Sequence, residues 1–351
     1  MIKYLLIYFS ILSAFSLSFY STLNKTYPKF AYLRLYFSAL AFFTFYFVLY
    51  SRPAPQNDIK TYISYYENVS DLFYVYVLND LDFVFYGFMY LMNALGFSPQ
   101  AFIIIVYSIS FFFLSKAISN IFKKNRYYFL CFLLFLSSSS FFLLYSNVIR
   151  QGLAASILLF LLSSPTKFFF LRLIMPFIHK GSLVFFFRNI TNNLNKTTRL
   201  IVLVFSLFLS FFVIDAILFI NSFINLPMVD FYINSFERQS SSNSPLKLTI
   251  LLFTNLLFLL FYNNLNNNKL EKNIYNTYFI FSVIALVFFQ IDGLFSRLNF
   301  FCLFLAFPIH VFLIKYLDLK YRSFYFLSVL FFNLTYSIYV LSHPSIVENI
   351  F

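Results

Sequence analysis

Six ionisable residues lie within or beside long apolar stretches of the sequence: Arg150, His179, Asp215, Asp292, Arg297 and His310. An ionisable side chain at membrane depth costs on the order of a few kcal/mol, so it is usually buried in a helix bundle, paired or in contact with water. Arginine presents a planar fork of N–H donors that can bind two phosphate oxygens at once. These residue types therefore indicate a site for an anion such as a diphosphate.

Arg150 opens the apolar stretch QGLAASILLF, with Asn147 and Gln151 close to it in the sequence. The small residues at positions 152–156 would let a second helix or a lipid chain approach closely. One interpretation is that the guanidinium group binds a diphosphate. The alternative is that the side chain extends to lipid phosphates at the outer end of a helix.

Arg297 follows Asp292 in a connection that is predicted to face outward. The two charges could simply form an ion pair. However, Arg150 and Arg297 are both predicted on the same face of the membrane, and their convergence would form an anion site. Asp215 and His310 are expected to be structural, because one lies near a helix end and the other near Pro308 within a helix.

Several kinds of chemistry find no support in the sequence. The three histidines show no HExxH spacing, and the DxD tripeptide at 80–82 is weak evidence for a metal-bound nucleotide. There is no Walker lysine loop, no GxGxxG and no GxSxG. Cys131 and Cys302 are far apart in apolar stretches, which excludes a CxxC motif or a disulfide framework.

The elements that must position these residues are membrane helices. The 351 residues are 61% hydrophobic and 11% charged, whereas soluble domains carry about 25% charged residues. We predict an all-α bundle of about 10–11 membrane helices, forming a single integral membrane domain over 1–351. The net charge of +13 is explained by cations in cytoplasmic connections and by anionic lipids, so no nucleic-acid partner is expected.

The predicted membrane spans are 3–22, 30–50, 100–120, 127–146, 199–220, 247–262, 274–290, 297–314 and 323–341, and a shorter apolar segment, 152–163, follows Arg150. Residues 83–95 are too short to cross a hydrocarbon core of about 30 Å and are predicted as an embedded or interfacial helix. The acidic connection 51–82 and the connection 221–246 are predicted to face the periplasm.

Residues 166–190 interrupt the expected alternation of sides. If 168–187 crossed the membrane, Arg188, Lys196 and Arg199 would lie outside, against the positive-inside rule. A break at Pro176 and 179–181 would instead give a re-entrant hairpin, with His179 at its tip. The alternative is an outside loop with three cations.

A series of motifs extends over roughly residues 50 to 300: Arg52-x5-Asp58-x3-Tyr62, Asp82, the segment Asn147 to Ala154 containing IRQGLA, the segment Phe177 to Ser182, and Ser296-Arg297-Leu298. This pattern resembles the EpsG family of Wzy-type polysaccharide polymerases. The sequence departs from the family pattern at Asp82, where Glu is usual, and at Leu183, where Ala commonly stands.

This resemblance implies a multi-pass enzyme of the bacterial inner membrane that resembles lipid-linked glycosyltransferases. Such an enzyme would join oligosaccharide repeat units carried on undecaprenyl diphosphate at the periplasmic face, building O antigen of lipopolysaccharide, capsule or exopolysaccharide. The implied partners are this lipid-linked oligosaccharide, membrane lipids and a chain-length regulator protein. Neither a cofactor nor a metal is expected.

The resemblance also implies roles for individual residues. Arg150 and Arg297 would stabilise the charge that grows on the departing diphosphate. The base that accepts the acceptor hydroxyl's proton would be His179, Asp58 or Asp82, and the sequence does not choose among them. The residues expected to bind sugar hydroxyls or orient the charged groups are Arg52, Tyr62, Gln151 and Asn147.

Three rival functions have different signatures. A flippase for the same lipid-linked units should show an internal repeat, and none is visible in the sequence. An O-antigen ligase usually has a larger late periplasmic loop than 221–246. A structural subunit of a synthesis complex would tolerate alanine at the charged positions.

Overall fold

A computed structural model of the protein describes residues 58–70, 82–138, 141, 148–164, 169–224 and 244–342. This part of the chain contains thirteen α-helices and one 3-10 segment, with no β-strand among the residues described. The predicted all-α fold is confirmed. The predicted spans 3–22 and 30–50 lie outside the described residues.

The helices, numbered in chain order, are α1 Asp58–Glu67, α2 Phe83–Ala94, α3 Pro99–Ile121, α4 Asn125–Leu136, α5 Ile149–Ser163, α6 Phe169–Ile178, α7 Lys196–Leu209, α8 Val213–Ile224, α9 Ser244–Leu260, α10 Tyr262–Asn266, α11 Lys269–Val287, α12 Asp292–Tyr316 and α13 Leu319–Ser342. The 3-10 segment is Lys180–Asn193. Helix α1 lies within the acidic connection 51–82, for which no helix was predicted.

The chain divides into two compact units, the first formed from Met1–Ser182 and Leu313–Phe351 and the second from Leu183–Phe312. In the first unit, α5 packs along α3 and against α6, which also packs on α2. Nearly every residue of α5 is buried, including Gly152, Ala154, Ala155 and Ser156. These small side chains let neighbouring helices approach the α5 backbone closely.

Helix α1 is fixed to the first unit by hydrogen bonds around Tyr66. The Tyr66 hydroxyl donates to the carbonyl of Phe97 at 2.7 Å, and Asn93 Nδ2 donates to the carbonyl of Tyr66 at 3.0 Å. Burial raises the pKa of Tyr66, so the hydroxyl keeps its proton and remains a donor at neutral pH. The adjoining turn contains Gly96 in the left-handed region at φ 77°, which glycine adopts without a steric penalty.

In the second unit, α7 and α9 pack against α11, and Arg199 stabilises this arrangement. The Arg199 side chain is completely buried, although its position among cations suggested a polar connection. Its Nη2 donates to the carbonyl of Thr191 at 2.8 Å and also to the side chain of Asn276. The rings of Tyr275 and Phe279 lie 4.8 Å from its Cζ, within the range of cation–π attraction. Arg199 is therefore a structural cation.

Two described helices are long and apolar enough to cross a membrane, Pro99–Ile121 and Gly293–Tyr316. The pair Lys196–Leu209 and Val213–Phe223 also qualifies if it forms one span with its 61° bend. Several apolar helices among the described residues are shorter, including Phe83–Ala94, as predicted for 83–95. The total of about 10–11 membrane helices stays a prediction.

The segment 168–187 is broken close to the predicted position. Helix α6 ends at Ile178, with Pro176 inside it, and the chain continues as the 3-10 segment from Lys180. His179 therefore lies between two helical elements. A 3-10 run of 14 residues is much longer than the usual three or four. The re-entrant placement of 166–190 and the periplasmic position of both connections stay predictions.

Candidate functional site: a buried arginine–aspartate pair

Arg150 and Asp82 form an ion pair in the first unit, with 2.8 Å between Arg150 Nη1 and Asp82 Oδ2. Asp82 immediately precedes α2, and Arg150 lies in the first turn of α5. The Asp82 side chain is 1% exposed, whereas the Arg150 side chain is 16% exposed. The carboxylate is thus enclosed by protein, and part of the arginine side chain remains accessible.

The other oxygen of Asp82 binds the backbone at the end of α6. The amide of Lys180 donates to Asp82 Oδ1 at 2.6 Å. Asp82 occupies the N-cap position of α2, but its side chain makes no capping hydrogen bond there. The carboxylate instead joins the start of α5 to the turn that follows α6.

Aromatic rings surround the guanidinium group of Arg150. Its Nη1 donates to the hydroxyl of Tyr86 at 2.9 Å. The ring centroids of Tyr86, Phe85 and Tyr62 lie 5.5, 5.9 and 6.0 Å from its Cζ. Such rings attract a cation and exclude water, which strengthens the ion pair and restricts the directions in which the guanidinium group can point.

His179 is held in the turn that presents the Lys180 amide. Its Nδ1 accepts a hydrogen bond from the amide of Gly181 at 2.9 Å, and its carbonyl accepts one from Ser182 Oγ at 2.9 Å. His179 as a whole is 5% exposed. Phe177 packs on Phe83 with 4.5 Å between ring centroids, so the end of α6 is anchored to the start of α2.

The structure brings together several of the residues singled out in the sequence. Arg150 pairs with Asp82 and lies near the ring of Tyr62, and His179 directly precedes the residue whose amide binds Asp82. Gln151 is fully buried in α5. Asp58 is the first residue of α1.

The remaining predicted site residues are Arg297, Arg52 and Asn147. Arg297 is exposed on α12 in the second unit, and its neighbour Ser296 accepts a hydrogen bond from Lys247 Nζ at 3.0 Å. Its convergence with Arg150 stays a prediction. Arg52 and Asn147 lie outside the described residues.

Two members of the cluster were missed in the sequence. Tyr86 stands four residues after Asp82, and residues at this spacing share one face at the start of a helix. The position of Tyr86 beside Asp82 could therefore have been predicted. The amide of Lys180 carried no signal, because every residue except proline has one. The described residues contain no group of three or more His, Cys, Asp or Glu side chains that could hold a metal ion.

An arginine with a partly accessible side chain beside a buried carboxylate can bind an anion without leaving an isolated charge when the site is empty. The aromatic rings around it lower the local dielectric and so strengthen its attraction for a phosphate oxygen. The apolar helices and this site define a helical membrane protein with an arginine-based polar site.

The sequence of this membrane protein matches the EpsG family over residues 34–350. The chain therefore belongs to the EpsG family, a family of Wzy-type polysaccharide polymerases. The resemblance inferred from the motifs is confirmed. No curated protein and no solved structure matches the chain.

Proposed function

We propose that the protein joins oligosaccharide repeat units carried on undecaprenyl diphosphate, at the periplasmic face of the bacterial inner membrane. The product would be O antigen, capsule or exopolysaccharide. Membership of the EpsG family supports a glycosyltransferase-like polymerase. The observation that carries the proposal is the partly exposed Arg150 held by the buried carboxylate of Asp82.

In the proposed reaction, the acceptor hydroxyl oxygen bonds to the anomeric carbon of the donor sugar, while the bond from that carbon to the phosphate oxygen breaks. The bonding electrons remain on the diphosphate, and the hydroxyl proton passes to a base. Negative charge therefore grows on the bridging oxygen. A guanidinium group already oriented towards this oxygen lowers the barrier without reorganising during the step.

Asp82 would act by positioning Arg150. Its Oδ1 accepts from the Lys180 amide and its Oδ2 pairs with Arg150. Because both oxygens are engaged, Asp82 is less suited to accept the hydroxyl proton than a carboxylate facing the acceptor. The ion pair also offsets the cost of burying each charge alone. Tyr62 is 6% exposed, which favours a role in packing around Arg150 over direct stacking on a sugar.

A reconstitution experiment tests this function against its rivals. Purified protein in phospholipid vesicles is supplied with the undecaprenyl-diphosphate-linked repeat unit alone, without lipid A or ATP. We expect longer lipid-linked oligosaccharides and release of one undecaprenyl diphosphate for each bond formed. Transport across the vesicle without elongation would indicate a flippase. Transfer only when lipid A core is added would indicate a ligase.

A further inference from the structure

We propose that His179 acts as a neutral hydrogen-bond donor through Nε2 and that it exchanges no proton during the reaction. This inference rests on the proposed function and assigns a role to one residue of that site. It chooses between the two chemical roles open to a histidine beside a departing phosphate, namely a base and a donor.

The amide of Gly181 determines the tautomer of His179. A backbone N–H can only donate, and here it donates to Nδ1 at 2.9 Å. Nδ1 must therefore present its lone pair, so the neutral ring carries its proton on Nε2. The hydrogen bond formed by one ring nitrogen decides which atom is protonated at the other.

The turn around His179 disfavours the opposite tautomer. Ser182 contacts the carbonyl of His179 through both its amide and its hydroxyl, each at 2.9 Å, and the preceding amide of Lys180 is bound by Asp82. The backbone that presents the Gly181 amide is thus fixed on both sides. A proton on Nδ1 would face this N–H directly, and a partly buried hydrogen bond would be lost.

The tautomer has a direct chemical consequence. A ring whose Nδ1 accepts from the backbone and whose Nε2 bears hydrogen offers no lone pair to an acceptor hydroxyl. It can still donate from Nε2 to a phosphate oxygen, and such a bond strengthens as that oxygen gains charge. The bonding electrons of the sugar–phosphate bond go to the diphosphate, while the acceptor proton goes to another base. Asp58 is then the predicted carboxylate for that task.

Two amide substitutions separate the possible roles of this histidine. In His179→Gln the side-chain amide reaches the position of Nε2, whereas in His179→Asn it reaches only the position of Nδ1. A donor role predicts that Gln retains polymerisation within about tenfold of wild type, while Asn and Ala lose about 100-fold or more. If the histidine only holds the turn, Asn is the active variant. If it is the base, neither amide is active. Either of these two patterns overturns the proposal.

A spectroscopic measurement tests the tautomer without any substrate. The full-length protein in detergent is labelled with ¹⁵N-histidine, and the resonances of His179 are assigned by their loss in His179→Gln. We expect a protonated Nε2 and a non-protonated Nδ1 at neutral pH. A protonated Nδ1 would refute the inference. If the ring has the expected tautomer but wild-type protein elongates no lipid-linked oligosaccharide, the proposed function fails and the tautomer assignment stands.

Discussion

The Nη1 atom of Arg150 lies 2.8 Å from Oδ2 of Asp82 and joins the beginnings of two helices. Because the carboxylate is 1% exposed, it cannot recover hydration if its partner is removed. Removing one member of a buried ion pair generally destabilises a protein more than the pair itself stabilises it. This relationship makes Asp82 important both for folding and for the direction in which Arg150 points.

Asp82→Ala is expected to destabilise the protein by about 3 kcal/mol, near the low end of the range for buried pairs, because Arg150 keeps some exposure. The stability can be measured in detergent with a thiol-reactive dye, since both cysteines, Cys131 and Cys302, are buried until the chain unfolds. Asp82→Asn should lose less, because an amide oxygen can still accept from Lys180. Equal melting temperatures for wild type and Asp82→Ala would contradict a structural role for the pair.

Arg150→Ala is expected to remove the long polysaccharide ladder and leave single repeat units on lipid A where the product is O antigen. Arg150→Lys should also lose about 100-fold or more in rate, because an ammonium group cannot present the planar fork of donors. The measurement is ladder length on a gel after complementation of a deletion strain. Protein levels in the membrane must equal those of wild type.

Arg126→Ala is a matched control for this experiment. Arg126 lies in the same unit, where it donates to the hydroxyl of Tyr127 and stacks on its ring at 4.6 Å, and it is not a member of the Asp82 cluster. We expect a normal ladder for this variant. A normal ladder for Arg150→Ala would remove that arginine from the mechanism.

Tyr86→Phe tests the hydroxyl that accepts from Arg150 at 2.9 Å. The ring remains to pack beside the guanidinium group, but one hydrogen bond to a charged donor is lost, a contribution of about 1.5–3 kcal/mol. We expect the polymerisation rate to fall by at most about 10-fold, with little change in protein level. Only a part of the energy of this hydrogen bond serves to orient Arg150. Tyr128→Phe, which removes a hydroxyl elsewhere in the same unit, should be as active as wild type. Equal rates for the two variants would show that the Tyr86 hydroxyl does not orient Arg150.

The sequence alone was sufficient for the helical fold, for the break at His179 and for the selection of four residues of the candidate site. Arg150, Asp82, Tyr62 and His179 could be selected because polar groups beside apolar helices require a compensating environment. Their mutual contacts could not be derived, because they depend on how α2, α5 and α6 pack. The backbone contact from Lys180 to Asp82 is of this kind, since an amide has no sequence signature.

Arg199 illustrates the opposite difficulty. In the sequence it resembles the other cations of a cytoplasmic connection, yet the structure buries it completely. Three aromatic rings and the acceptors Thr191, Leu194 and Asn276 surround its guanidinium group. Counting cations could not distinguish it from an exposed arginine, because the aromatic partners come from α10 and α11, far along the chain.

Arg199→Ala is therefore expected to lower stability rather than catalysis. It leaves the carbonyl of Thr191 and the side chain of Asn276 without a buried donor and opens a cavity among the rings. The dye assay should show a lower melting temperature, and the amount of protein in the membrane should fall. Any protein that remains folded should elongate normally at low temperature. Normal stability of Arg199→Ala would contradict the structural role.

The hairpin prediction for 166–190 can be tested by labelling from either side of the membrane. Lys196 is exposed at the start of α7, and the 3-10 segment before it exposes Phe186, Phe187 and Ile190 by 46%, 53% and 66%. Exposed apolar side chains of this size are expected against lipid, which favours a segment embedded in the membrane.

In a re-entrant hairpin, Lys196→Cys should react with a membrane-impermeant maleimide only from the cytoplasm. The buried native cysteines give a low background, and Arg188→Cys should show the same sidedness. Reaction from the periplasm would instead show that residues 168–187 cross the membrane and that every later connection changes sides.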